Sequence, residues 1–130
     1  MYRIEKKSYG VKITFSGNLN VEELKKWVVE SAKILVSISP NFSVFVDMRE
    51  LKPLNDDSQL VLEEGQKLYK KAGMVRSVVI LASSVVTMQF KRLAKQTGIY
   101  EWERYIDASK IVNWEETGQK WLVNKIDPDN

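Results

Sequence analysis

The sequence predicts a single α/β domain built on a mostly parallel, five-stranded sheet. Apolar runs of strand length alternate along the chain with segments of helical periodicity, and this alternation requires a largely parallel sheet with right-handed crossovers. A length of 130 residues is sufficient for one hydrophobic core. We therefore expect one domain over residues 1–126, in the order β-β-α-β-α-β-α-β-α, and a flexible tail over residues 127–130.

An antiparallel hairpin opens the predicted fold. Tyr2 to Lys7 and Val11 to Ser16 alternate apolar and polar residues on either side of a short turn, which is typical of two half-buried strands. Asn20 followed by Glu23 has the form of a capping box. The apolar residues that follow keep to one helical face, so the first helix is predicted over Val21 to Ser37.

A central strand and a second helix come next. Phe42 to Asp47 has the β-branched and aromatic content of a central strand. After a loop, Asn55 to Asp57 supplies good capping residues for a helix that runs to Gly73. The inward face of this helix is predicted to carry Leu60, Val61, Leu68 and Ala72.

The second half of the chain repeats the pattern. Ser77 to Ala82 is a continuous apolar run, as expected for a strand that helices cover on both faces. Ser83 and Ser84 cap a third helix that ends at Gly98. Its predicted inward residues are Val85, Met88, Leu93 and Ala94, and the remaining elements are a short strand near Trp102 to Ile106 and a helix from Ser109 to Asn124.

The composition excludes several kinds of chemistry. The chain has no cysteine and no histidine, which removes disulfides, thiol nucleophiles and the commonest general base and metal ligand. No pair of acidic residues or tyrosines has a spacing that indicates acid-base catalysis. We therefore expect a protein that is not an enzyme and that holds no metal and no cofactor.

Charge and hydropathy bear on partners and location. The net charge of +3 comes from basic residues that are interleaved with acids along most of the chain, so a nucleic-acid partner is not expected. The longest apolar stretches are too short to cross a bilayer, and the first residues lack the apolar segment of a secretion signal. The sequence thus predicts a cytoplasmic protein with no integral membrane segment.

Three segments carry a resemblance to a known family. Val44 to Leu51 reads as a core strand that ends in an Asp-Leu-like pair before a short loop and a helix, Ser77 to Leu81 precedes a helix that ends in Lys95 to Ile99, and Ala108 to Leu122 forms a closing helix. Together they resemble the STAS domain family of sulphate transporters and anti-sigma factor antagonists, over nearly the whole chain and in a divergent branch. The resemblance implies a bacterial signal-transduction module that binds a protein partner, such as an anti-sigma or kinase-like regulator.

The resemblance also raises the question of a phospho-switch. In the anti-sigma factor antagonists, an Asp-Ser-Ser-Gly motif before the second helix carries a serine that the partner kinase phosphorylates. Placing Asn55 on the aspartate of that motif puts Asp56 and Asp57 on its two serines and Ser58 on its glycine. The usual acceptor hydroxyl is therefore missing, which implies a module without the serine switch. Ser58 is an alternative acceptor in the first helical turn.

The main functional prediction is a docking surface at the start of the second helix. It comprises the end of the central strand, the loop that follows and the first helical turn. Helix capping alone is an alternative explanation for the acidic residues there. The predicted docking residues are Asp47, Pro53, Asp56, Asp57 and Ser58.

A second functional prediction is a carrier of a small, apolar, lipid-like ligand. The chain has four tryptophans, three of them in its last third, and loosely packed first and last helices would line a pocket with such side chains. Tryptophans that simply fill the core are the alternative. The predicted pocket residues are Trp27, Met88, Trp114 and Trp121, and self-association of the chain is left open.

Overall fold

The computed structural model describes all 130 residues and consists of a five-stranded sheet flanked by four helices. A short 3-10 helix over Ile99–Glu101 precedes the last strand. The elements are β1 (Tyr2–Lys7), β2 (Gly10–Gly17), α1 (Val21–Leu35), β3 (Phe42–Leu51), α2 (Asp56–Lys71), β4 (Met74–Leu81), α3 (Ser84–Thr97), β5 (Glu103–Asp107) and α4 (Trp114–Asn124). The predicted α/β class and the predicted element order are both confirmed. None of the helices is long and apolar enough to cross a membrane.

The strands lie in the sheet in the same order as in the chain. β1 pairs antiparallel with β2, and each of the pairs β2–β3, β3–β4 and β4–β5 is parallel. Because each parallel crossover advances in the same direction with the usual right hand, the three crossover helices α1, α2 and α3 cover one face of the sheet. α4 packs on the opposite face, against β3 and β4.

The alternation of side chains along β3 divides the core into two clusters. Val44 and Val46 point towards the layer of α1, α2 and α3, whereas Phe45 points towards α4. Successive residues of a strand project to opposite faces, so each apolar layer takes every second residue. A continuous apolar run is what this arrangement requires, since both faces of β3 are covered.

Trp27 forms the centre of the larger cluster. Its ring contacts Phe15 edge-on with centroids 5.1 Å apart, and it stacks on Tyr69 with centroids 5.8 Å apart. The Tyr69 hydroxyl and the Ser31 hydroxyl share a 2.7 Å hydrogen bond, and burial raises the pKa of Tyr69 to about 12. These contacts join α1, α2 and β2 in one packed unit.

The indole of Trp27 occupies the space beside Gly65 on α2. An added Cβ at Gly65 would lie 2.0 Å from Cζ3 of the Trp27 ring, far closer than carbon atoms approach in proteins. Glycine is therefore required there by the close approach of the two helices, and its unfavourable helix propensity is outweighed by this packing.

Polar caps fix the starts of three helices as the sequence predicted. The Asn20 side chain accepts a 2.8 Å hydrogen bond from the Glu23 amide, and the Asn55 side chain accepts one of the same length from the Ser58 amide. Ser83 accepts a 3.3 Å bond at the start of α3. In the first capping box, the Glu23 carboxylate forms an ion pair with the N-terminal ammonium of the chain, 3.4 Å away, in place of the usual bond back to the capping residue.

Two predicted helix faces are wrong in part. On α2, Val61 is buried as predicted, but Leu60 is exposed and Tyr69 takes a buried place. On α3, Ala94 is buried as predicted, whereas three predicted core residues face solvent. The exposed three are Val85, Met88 and Leu93. Apolar periodicity did not determine which face of α3 turns inward, and the buried residues of this helix are Thr87 and Ala94.

Two element boundaries also differ from the prediction. β3 continues past Asp47 to Leu51, so part of the predicted loop is strand. α4 begins at Trp114 and not at Ser109. The delay has a local cause, because the Asp107 carboxylate accepts hydrogen bonds from the backbone amide and the hydroxyl of Ser109 at 2.9 Å and 2.5 Å and so stabilises a turn.

Residues 127–129, which the sequence predicts as part of a flexible tail, make specific contacts with the domain. Arg104 donates from Nε and Nη2 to the two carboxylate oxygens of Asp127 at 2.9 Å and 3.1 Å. The Arg104 guanidinium is sandwiched against the rings of Tyr100 and Trp121, 3.8 Å and 4.3 Å from their centroids. Asp129 adds a 2.9 Å ion pair with Lys91 of α3. The end of the chain is thereby fixed to β5 and α3.

Substitution of Gly65 by alanine should destabilise the protein. The new Cβ has no room beside Trp27, and we expect a loss of about 1–3 kcal/mol despite the roughly 1 kcal/mol gain in helix propensity. Chemical denaturation followed by far-UV circular dichroism measures the change. Gln66→Ala, at the exposed neighbouring position, is the control and should be within about 0.5 kcal/mol of wild type. In a Trp27→Phe background the Gly65→Ala cost should shrink, and an unchanged cost would contradict this packing account.

The Arg104–Asp127 pair should make the stability of the wild-type protein fall in acid. The Arg104 hydrogen bonds hold the pKa of Asp127 below its usual value of 3.8, so this carboxylate stabilises the fold above about pH 4 and ceases to do so as the pH falls through its lowered pKa. Asp127→Asn should cost about 2 kcal/mol near neutral pH, and the difference from wild type should shrink towards low pH. Urea denaturation across this pH range measures both. Glu64→Gln, at an exposed carboxylate without an ion pair, should show no such trend.

Candidate functional site

The loops that follow β2 and β3 lie together at the carboxyl end of the sheet. The Lys52 amide donates a 3.1 Å hydrogen bond to the Gly17 carbonyl. The Ser58 hydroxyl donates a longer bond, 3.4 Å, to the Leu19 carbonyl, and Leu19 is buried. We call residues 52–57 the docking edge. It rests on the β2–α1 loop and does not extend freely into solvent.

Two carboxylates dominate the chemistry of the docking edge. Asp56 and Asp57 occupy the first turn of α2, just after the Asn55 cap, and both are exposed. Neither lies within ion-pair distance of a basic side chain. The positive end of the helix dipole favours carboxylates at these positions, so capping contributes to their placement. Pro53 is also exposed on the same loop. The three predicted residues Pro53, Asp56 and Asp57 therefore form one accessible surface.

Ser58 is not part of that accessible surface. Its side chain is completely buried, and its amide and hydroxyl are both used inside the fold, by Asn55 and Leu19 respectively. The prediction of Ser58 as a docking residue, and as an alternative phosphate acceptor, is corrected on this ground. A kinase could not reach this hydroxyl without opening α2.

Asp47 has a structural partner and does not face solvent. Its carboxylate is buried and accepts two hydrogen bonds from Arg49, from Nε to Oδ1 and from Nη2 to Oδ2, each 3.0 Å long. These bonds raise the pKa of Arg49. The Arg49 guanidinium in turn lies 4.0 Å from the ring centroid of Trp114 on α4. Asp47 thus holds Arg49 in place on the α4 face and is not presented to a partner.

The sequence analysis did not predict the Asp47–Arg49–Trp114 cluster. The spacing of Asp47 and Arg49 was a usable signal, because residues two apart in a strand share a face. The contact with Trp114 carried no such signal, since it depends on where α4 crosses the sheet. Phe45 lies beneath the same tryptophan with ring centroids 6.2 Å apart.

The four predicted pocket residues do not line a common cavity. Trp27 lies under α1 and α2, whereas Trp114 and Trp121 lie with α4 on the opposite face of the sheet. The Trp121 indole N–H donates a 2.9 Å hydrogen bond to the Ser77 carbonyl. Met88 is exposed on α3. The sheet itself separates these side chains, so the predicted arrangement of the pocket is corrected.

Two depressions on the surface have a size or a lining that does not suit an apolar ligand. The larger, about 410 Å³, is an open groove beside β1 and α1, and the smaller is a cleft of about 20 Å³ beside α4. The groove is lined by Tyr2, Lys25, Lys26, Val29, Glu30 and Lys33. Its charged lining differs from the mostly apolar walls of ligand pockets.

A half-buried acid lies at the start of β5. Glu103 accepts a 2.7 Å hydrogen bond from the Ser77 hydroxyl and a 2.5 Å bond from the Tyr105 hydroxyl. Burial raises the pKa of Glu103, and the neighbouring carboxylate and burial together raise the pKa of Tyr105. The two hydrogen bonds satisfy the polar groups of this trio.

Comparison with known proteins bears on the fold. No protein-family model matches the chain, and no curated protein matches it. A solved structure does match, that of an uncharacterised protein of the DUF3478 family from Shewanella loihica PV-4, which has a SpoIIAA-like fold. The TM-score is 0.62 at 16% sequence identity, over 88% of this chain and 91% of that one. The chain therefore has the SpoIIAA-like fold, which is the fold of STAS domains and anti-sigma factor antagonists, as the resemblance implied.

A charge introduced at Ser58 should unfold or strongly destabilise the protein. Ser58→Asp places a carboxylate where no basic side chain pairs with it, and we expect a loss of about 3 kcal/mol or more. Ser58→Ala removes only the long bond to Leu19 and should cost about 1 kcal/mol. Thermal and urea unfolding measure both. Gln59→Asp, at the exposed next position in the same turn, should be nearly neutral. A stable Ser58→Asp variant would show that this side chain is accessible.

Proposed function

We propose that this chain, on its SpoIIAA-like fold, is a non-catalytic regulatory module that binds a protein partner through the docking edge. The observation that carries the proposal is the pair of exposed, unpaired carboxylates Asp56 and Asp57 on a supported loop. Charges that have no partner inside the molecule are free to recognise one outside it. The complementary surface is accordingly basic or rich in hydrogen-bond donors.

The rigidity of the docking edge supports this proposal. Asn55 fixes the first turn of α2, the Lys52 amide ties the loop to Gly17, and buried Ser58 anchors the turn beneath. A loop held in one conformation loses little entropy when it binds a partner. Within the proposal, Pro53, Asp56 and Asp57 contact the partner, whereas Asp47 and Ser58 maintain the shape behind them.

We further propose that docking here is independent of serine phosphorylation. Asp56 and Asp57 stand at the places where the anti-sigma factor antagonists have serines, and carboxylates accept no phosphoryl group from a serine kinase. The neighbouring hydroxyl of Ser58 is buried. A permanent negative charge at this helix start would make the surface constitutively competent for a basic partner.

Charge reversal at the docking edge should abolish partner capture. The double variant Asp56→Lys/Asp57→Lys is compared with wild type in quantitative affinity capture from lysate of the source cells. We expect the recovery of specific partners to fall by at least about tenfold, because two attractive contacts become repulsive. The matched control is Glu63→Lys/Glu64→Lys, with the same charge change at exposed positions one to two turns further along α2. It should capture as wild type does.

The two variants also need a check of folding. Reversing acids in the first turn opposes the helix dipole and costs about 0.3–1 kcal/mol for each residue, which leaves the fold intact. Unfolding midpoints of the variants verify this. Equal capture by a folded Asp56→Lys/Asp57→Lys variant would refute the docking edge as the partner site.

A further inference from the structure

The outward face of α3 is unusually apolar for a surface helix. Val85 is 67% exposed, Met88 is 64% exposed and Leu93 is 56% exposed, although all three are large hydrophobic residues. Only Thr87 and Ala94 of this 14-residue helix are buried. Clustered exposure of large apolar side chains on one helix marks an interaction surface.

The neighbours of α3 leave this face uncovered. α3 packs on β4, β5 and the 3-10 helix, and no Cα atom of α3 lies within 8 Å of one of α2. Phe90 reaches inward to Tyr105, with ring centroids 5.7 Å apart. The outer stripe of Val85, Met88 and Leu93 has no such partner within the protein. We call these three residues with Arg92 and Lys95 the α3 face.

The charge of α3 indicates what kind of surface it fits. The helix carries Lys91, Arg92 and Lys95 and no acidic residue. Lys91 is paired with Asp129, while Arg92 and Lys95 are exposed. Two copies of the chain meeting through this face would bring like charges together, so a second copy is disfavoured. The complementary surface is anionic.

The shape of the α3 face distinguishes a flat anionic surface from an acidic helix. A partner helix is normally received in a groove. Val85, Met88 and Leu93 are each more than half exposed, so they project from the surface and do not line a groove. A helix that projects from the sheet with apolar and basic side chains together matches the pattern of interfacial helices at membranes.

We infer that the α3 face docks the protein reversibly on an anionic lipid surface. Val85, Met88 and Leu93 enter the boundary between headgroups and acyl chains, and Arg92 and Lys95 contact lipid phosphates. Three partly exposed apolar side chains are a small anchor, so binding is weak and depends on both salt and lipid charge. This interaction uses a helix separate from the docking edge and does not rest on the proposed function.

The test is co-sedimentation of the full chain with lipid vesicles. Vesicles of phosphatidylcholine alone are compared with vesicles that also contain phosphatidylglycerol. We expect binding only to the anionic vesicles and a decline at high salt. Arg92→Glu/Lys95→Glu should weaken binding by at least about 25-fold, at roughly fivefold or more for each charge. Met88→Asp should also reduce binding, because it places an acid in the apolar stripe.

Matched controls separate this site from general electrostatics. Lys67→Glu/Lys71→Glu makes the same charge change on exposed residues of α2, and Leu60→Asp makes the same apolar-to-acid change there. Both should bind vesicles nearly as wild type does. Equal loss in these controls, or no binding of wild type to anionic vesicles, would overturn the inference. Concentration-dependent dimerisation that Met88→Asp abolishes, without vesicle binding, would assign the face to a second copy and would overturn it too.

The outcome is independent of the partner-capture experiment. Asp56→Lys/Asp57→Lys leaves α3 unchanged, so it should retain vesicle binding even where it loses protein capture. A failure of the lipid test therefore leaves the proposed docking edge untouched, and the reverse holds as well.

Discussion

The contact between the Trp27 indole and Gly65 sets how closely α1 and α2 approach each other. The ring occupies the space that any side chain at residue 65 would need. Phe15 of β2 and Tyr69 of α2 pack against the same indole, so three elements meet at one side chain. The loop before each helix inherits this geometry. The docking edge is thus positioned by apolar packing in the core, and polar bonds at the loop only refine it.

At the strand ends, polar side chains hold neighbouring elements in place. Asp47 and Arg49 connect the end of β3 to Trp114 on α4, and Asp107 at the end of β5 accepts a hydrogen bond from Ser84 at the start of α3. The hydrogen bonds from Ser109 and Ser84 lower the pKa of Asp107, so it stays ionised near neutral pH. Each acid fixes a neighbouring element and is already satisfied. Asp56 and Asp57, in contrast, are exposed and lie in no ion pair, so they retain unused interaction capacity.

The sequence was a good guide where the determining contact is local. Asn20, Asn55 and Ser83 cap helices through hydrogen bonds to residues three positions later, so these caps could be predicted directly from the sequence. It was a poor guide where the answer depends on how elements cross. Trp27 and Trp121 looked alike as apolar residues of helices, but α1 is a crossover helix on one face of the sheet, whereas α4 follows the last strand and packs on the other face. Apolar periodicity could not reveal that α3 turns Met88 outward, because the same pattern suits a core or a docking surface.

The coincidence of strand order with chain order has a consequence for synthesis and folding. Every strand pairs only with strands adjacent to it in the chain, so the sheet can grow by one strand at a time as the polypeptide leaves the ribosome. Each stage exposes one unpaired edge until the next strand arrives, and β5 leaves the last such edge. Arg104 lies on that strand, and its clasp on Asp127 is made only when the final residues emerge. The Arg104–Asp127 ion pair thus attaches residue 127 to the edge strand after the order of the sheet has been established.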